Sequence, residues 1–128
     1  MRAALPHLHQ FRDKFHAYVS LSSPHLGYMY KKGKLFSTGM WLMGSMGESV
    51  VISQLRYADG DSLADCYLNR LAQSEGLEWF KHMLLVSSSQ DEWVPYEAVR
   101  MQVTNEASPD SPRGASYKNM VSSMMHRL

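Results

Sequence analysis

The chain has 128 residues, which is one domain's worth on the usual scale of roughly 100–200 residues per domain. Hydrophobic residues at 45% and charged residues at 20% are ordinary for a globular protein and exclude a disordered, collagen-like or coiled-coil chain. A formal net charge of +1 gives no strong field to draw nucleic acid or an anionic membrane, so neither is an expected partner.

Met1 to Leu5 is soon interrupted by Pro6, His7, His9, Arg12 and Asp13. No apolar run of about 7–15 residues forms, so the N-terminus does not read as a secretory signal. The longest apolar run, Met83-Leu84-Leu85-Val86, falls far short of the ~18 residues of a membrane span. The single cysteine, Cys66, allows no intrachain disulfide and fits a reducing compartment. The expectation is a soluble, cytoplasmic chain. Cys66 sits in a helical pattern without an acid–base partner nearby in sequence and reads as a small buried side chain rather than a reactive thiol. The methionines of two patches, Met40, Met43 and Met46 and then Met124 and Met125, read as core filling rather than as a lipid-binding face.

In chain order, Leu5, Leu8, Phe11 and Phe15 recur at helical spacing and predict a short helix over 5–13. His16 to Ser22, with Ala17, Val19 and Leu21 alternating, predicts a strand that ends in the loop Ser23-Pro24-His25-Leu26-Gly27. Residues 28–60 are interrupted by glycines and read as short helices. Ser37 or Thr38 would cap one that carries Met40, Trp41 and Met43. Glu48 to Leu55 would form another, although the β-branched Val50-Val51-Ile52 leaves a strand open. Asp61 or Ser62 is expected to cap a helix with Ala64, Tyr67, Leu68 and Leu71 on one face. Leu77 and Phe80 continue the packing after Gly76. His82 to Ser88 carries four consecutive apolar residues, the pattern of a strand buried on both faces of a parallel sheet. After the loop 89–94, Pro95 opens a helix continued by Tyr96, Val99, Arg100 and Val103. Thr104 to Ala115 reads as loop, and Ser116 as the cap of a last helix with Tyr117, Met120, Val121 and Met124 on one side.

Strands separated by helices predict the α/β class, with parallel strands flanked by helices. Two strands are few for a stable parallel sheet, which points to a partial fold. In such sheets ligands bind beyond the carboxyl ends of the strands. The two loops there hold Ser22, Ser23 and His25, and Asp91. From the pattern alone Asp91 is either a turn residue bonding its own loop or a carboxylate that orients an imidazole. His25 reads as a histidine hydrogen-bonded within its loop, because neighbouring residues rarely have the geometry of a nucleophile and base. Trp93 and Tyr96 would border a pocket or, more simply, pack in the core. No Gly-x-Ser-x-Gly elbow occurs in the sequence, and neither does a Gly-rich phosphate loop. No Cys, His and acid cluster has metal-site spacing, so no metal and no cofactor are expected.

Tyr18-Val19-Ser20-Leu21-Ser22-Ser23-Pro24-His25-Leu26-Gly27 resembles a signature of the putative serine esterase family, the lipase-like α/β-hydrolases of eukaryotes. The similarity continues through Thr38 to Met43, Gly76 to Lys81, Ser88 to Tyr96 with its Gln90-Asp91 and Val94-Pro95, and Tyr117 to Met125. The resemblance implies a partial α/β-hydrolase fold and hydrolysis of carboxylic esters, lipid esters among them. It implies that Asp91 is the acid of a Ser-His-Asp triad. Ser22, Ser23 and His25 inherit no triad role and would shape the active-site wall. The family's nucleophile elbow precedes the first strand seen in this sequence, and its histidine follows the helix matching Tyr117 to Met125. His126 is not at that position. The 128 residues therefore read as a single incomplete domain lacking both regions, with no nucleophile and no general base, and inactive alone. The other expectation is a non-catalytic truncated isoform or interaction module. Exposed sheet edges would favour self-association.

Overall fold

The computed structural model describes residues 1–30 and 49–128. The short helix expected around Thr38 to Met43, with Met40, Met43 and Met46, lies outside the described residues. Arg2–Lys14 winds as a 3-10 helix, longer and tighter than the α-helix expected over 5–13, and is broken by non-helical geometry at Leu8. Pro6 inside it has no N–H to give to an α-helical ladder. Strand β1 (Ala17–Leu21) follows, then α1 (Val50–Leu55), which resolves the helix-or-strand ambiguity of this β-branched segment in favour of helix. Helix α2 (Tyr67–Ala72), a 3-10 turn (Leu77–Trp79), strand β2 (His82–Val86), α3 (Tyr96–Val99) and α4 (Pro112–Met125) complete the order.

Several boundaries differ from expectation, each for a local reason. Helix α2 begins at Tyr67 and not at Asp61 or Ser62. Ser62 instead donates to the Asp65 carboxylate at 2.6 Å, and the Asp59 carboxylate accepts from Tyr67 N–H at 2.9 Å. Asp59 thereby satisfies one of the orphan donors of the first turn from eight residues upstream. Helix α3 stops at Val99, because Met101 adopts a left-handed backbone, φ 53°, that an α-helix does not admit. Val103 is exposed rather than part of that helix. Helix α4 starts earlier than its expected cap at Ser116. Ser111 caps it, its hydroxyl accepting from Gly114 N–H at 3.0 Å, and Pro112 takes the first turn, where a missing N–H costs nothing. The loop expected over 104–115 therefore gives way to helix from Pro112.

The two strands pair in parallel, with Ala17 opposite His82, Val19 opposite Leu84 and Leu21 opposite Val86. Ser22 N–H donates to Val86 O at 2.9 Å and extends the ladder by one rung. The molecule is thus mixed α/β around a parallel pair. Tyr18 and Ser20 are buried and Met83 and Leu85 half-buried on the inner face. The outer face corrects the expectation that the second strand is buried on both sides: Val19 is 58% exposed, Leu21 68%, Leu84 56% and Val86 43%. A parallel sheet ordinarily carries cover on both faces. Here the core gathers on one side only, around the fully buried Leu5, Leu26, Met101, Met120 and Met124. The methionine expectation holds for Met124, whereas Met125 beside it is half exposed.

An aromatic row fastens the first segment to this core. Phe15 packs on Trp79 (ring centroids 6.1 Å apart) and on Phe80 (4.8 Å), and Tyr18 meets the same Phe80 edge-on at 5.2 Å. Gly76 sits at φ 125°, and a Cβ there would lie 2.4 Å from Leu5 Cβ, so only glycine lets the chain pass this close to the buried Leu5. Among the described residues no helix is long and apolar enough to cross a membrane.

Candidate active site

The parallel register puts the carboxyl ends of β1 and β2 side by side, so the loop after each strand leaves from the same edge of the sheet. The two loops enclose a cavity of about 290 Å³. Gly27, Met29 and Tyr30 reach it from the first loop, and Ser89, Asp91 and Val94 from the second. Helices α3 and α4 close the wall with Tyr96, Glu97 and Tyr117. This is the position that ligands take in open parallel sheets.

Asp91 is half-buried at the cavity wall. Its Oδ1 accepts from the backbone N–H groups of Trp93 and Val94, both at 2.9 Å, and its own N–H donates to Ser88 O at 3.2 Å. Two charge-assisted bonds to one oxygen fix the plane of the carboxylate on a loop with no regular ladder. The turn role anticipated from sequence is therefore present. Tyr28 lies close enough that burial, and then the Asp91 charge, raise its phenol above the ordinary range. Burial, and then Glu97 and Tyr30, likewise raise Tyr117, whose ring meets Tyr30 edge-on at 5.2 Å. Tyr117 therefore stays a neutral phenol in a wall that also holds the carboxyl groups of Asp91, Glu97 and Glu106.

His25 lies elsewhere. It is buried, and its Nε2 sits 2.7 Å from Ser20 Oγ on the inner face of β1. Burial, followed by the nearby Arg2 charge, pushes its pKa down to about 4, so the ring is neutral at physiological pH. The pair has the distance of a serine and its base, but Ser20 is buried in mid-strand and neither residue lines the Asp91 cavity. It closes the loop 20–25 on itself, the structural role expected of His25. Ser22 is exposed with a left-handed φ of 45°, and Ser23 is half-buried. The structure brings neither of them into the cavity with Asp91. Trp93 is 64% exposed and belongs to neither the cavity nor the core, contrary to both readings, although its N–H is held by Asp91. Tyr96 does border the cavity, held by Arg100, whose Nη1 donates to its hydroxyl at 2.7 Å. His126 is the exposed C-cap of α4.

Cys66 is buried, its thiol directed at Ser62 O at 3.3 Å, and burial with the nearby Asp59 carboxylate raises its pKa. That is an unreactive thiol, as its sequence context indicated. Among the described residues no group of three or more His, Cys, Asp or Glu is placed to hold a metal ion. Sequence reasoning missed Tyr30, Glu97 and Tyr117 as cavity residues. Tyr117 stood on the apolar face of the last helix, and nothing in the spacing told which apolar residue would meet Tyr30.

Residues 3–107 match the putative serine esterase family, and the chain belongs to that family. The matched span includes both strands, both exit loops and Asp91. No solved structure matches the chain.

Proposed function

We propose that the chain is the acid-bearing part of a lipase-like serine hydrolase with the α/β-hydrolase fold, acting on carboxylic esters, lipid esters included. The observation that carries this reading is the position of Asp91. It lies on the loop after a parallel strand, its carboxylate fixed by two backbone amides at a cavity on the carboxyl edge of the sheet. In this reading a serine attacks the ester carbonyl, a histidine takes its proton and later returns it to the leaving alcohol, and Asp91 holds the imidazole and stabilises its charged form. The 128 residues contain no Gly-x-Ser-x-Gly elbow, and in this reading they are one incomplete domain whose nucleophile, base and oxyanion donors lie outside them. Ser22 and Ser23 lie on the neighbouring exit loop outside the Asp91 cavity, and His25 holds that loop in shape. Family membership supports the esterase chemistry.

The test uses the longest product of the transcript that contains this reading frame, assayed on a short p-nitrophenyl ester. Asp91→Asn is expected to lower kcat on the order of 10⁴-fold, as for a triad that has lost its carboxylate. Glu92→Gln, one residue away and exposed, is expected to leave it unchanged. Full activity in Asp91→Asn would overturn the assignment. The uncovered outer face of the sheet favours a second reading, a non-catalytic product that associates with other proteins. A transcript that encodes neither an elbow nor a downstream histidine would select that reading.

A further inference from the structure

A second cavity, of about 390 Å³, shares no lining residue with the Asp91 cavity and lies against the first 3-10 segment. Arg2 forms part of its wall and is only 8% exposed. Its guanidinium donates to the carbonyl oxygens of His25 and Leu71, each at 3.1 Å. Carbonyls accept hydrogen bonds but carry no net charge. Among the described residues no carboxylate pairs with Arg2, and the ion pair that does form, Arg12 with Asp13, is at the surface. A cation taken out of water without a counter-ion is costly, and burial accordingly pushes this guanidinium below its ordinary range. Tyr18 lines the same cavity and is 7% exposed. Its hydroxyl has no hydrogen-bond partner among the described residues, yet it is not sealed from the cavity. The two bonds to carbonyls leave the Arg2 charge without a counter-ion, and the Tyr18 hydroxyl opens on the same cavity, so an anion seated there would meet both groups. The rest of the wall is largely aliphatic, with Val51, Leu55, Leu68 and Leu71.

We propose that this cavity binds an amphiphilic anion, its carboxylate between the Arg2 guanidinium and the Tyr18 hydroxyl and its alkyl chain along Val51, Leu55, Leu68 and Leu71. Its oxygens give the Arg2 charge a counter-ion and the Tyr18 hydroxyl an acceptor, and the alkyl chain covers aliphatic surface at the volume typical of small-molecule sites. The proposal stands apart from the esterase reading, since it involves neither Asp91 nor ester chemistry. The test is calorimetric titration of the full 128-residue chain with octanoate, alongside octan-1-ol and octylamine. Saturable binding of octanoate, with both controls much weaker, is expected. Arg2→Gln removes the charge but also two bonds to backbone, so it risks unfolding. Tyr18→Phe removes only an unpaired hydroxyl. It is expected to leave the melting temperature unchanged and to weaken octanoate about tenfold, the effect of one hydrogen bond to a charged group. Absence of saturable octanoate binding, octan-1-ol binding equally well, or unchanged affinity in Tyr18→Phe would each overturn the proposal.

Discussion

Two side chains show how burial and hydrogen bonding set what a residue can do. His25 is neutral because its site is dry and Arg2 is near. Its folded pKa of about 4 lies below the ordinary 6.5, so the unfolded state binds the proton first. The stability that follows is fully present above pH 6.5 and is lost as pH falls toward 4, by roughly 3 kcal/mol in all. Urea denaturation at pH 7.5 and at pH 4 is expected to show this loss in the wild type and a smaller one in His25→Gln. Equal losses in the two proteins would contradict the assignment. Asp91 shows a carboxylate serving its loop first. Asp91→Ala removes the acceptor of two backbone amides and is expected to cost about 1–2 kcal/mol by the same method. Asp91→Asn keeps an oxygen acceptor and is expected to cost less, which separates the structural role of this side chain from a catalytic one. The sequence alone left these two roles of Asp91 open, since one residue type suits both a turn and a triad. The Arg2–His25 contact was illegible for a different reason: it joins residues 23 apart, and no periodicity records such a distance.

At the level of elements, what was legible was local. Both strands, a helix after Pro95, which caps it rather than entering its first turn, and the apolar face of Tyr117, Met120, Val121 and Met124 follow from alternation, a proline and helical spacing. What misled was competition between neighbouring polar residues for the role of cap. Ser116 had the right chemistry, but Ser111 stands before a proline and leaves Gly114 where backbone must come close. A Cβ on Gly114 would lie 1.7 Å from Ser108 O, inside the loop that the helix folds against. Gly114→Ala is expected to destabilise the chain by several kcal/mol, on the order of 2–4, because backbone rather than a flexible side chain must move. A midpoint of urea unfolding within error of wild type would show that the loop 104–111 yields freely. Alternation likewise identified β1 but not its inward face: Val19 and Leu21 point out, and Tyr18 and Ser20 point in.

For the molecule as a whole, the one-sided sheet and the cavity at its carboxyl edge belong together. Among the described residues, a parallel pair with Val19, Leu21, Leu84 and Val86 exposed is a sheet with one face uncovered. The chain is expected to self-associate in solution through this face and the free strand edges. Val19 and Leu84 are direct cross-strand neighbours, so Val19→Lys with Leu84→Glu would place a compatible charge pair on that face. By light scattering, this double variant is expected to be a monomer where the wild type is not, and a monomeric wild type with a cooperative melt would contradict the expectation. In the proposed reading the 128 residues carry the acid of an esterase triad but neither its nucleophile nor its base. Hydrolysis of p-nitrophenyl butyrate by the purified chain, as wild type and as Asp91→Ala, tests it most directly. No turnover above the buffer rate is expected for either protein; turnover by the wild type that is lost in Asp91→Ala would mean that a complete catalytic set lies within these residues.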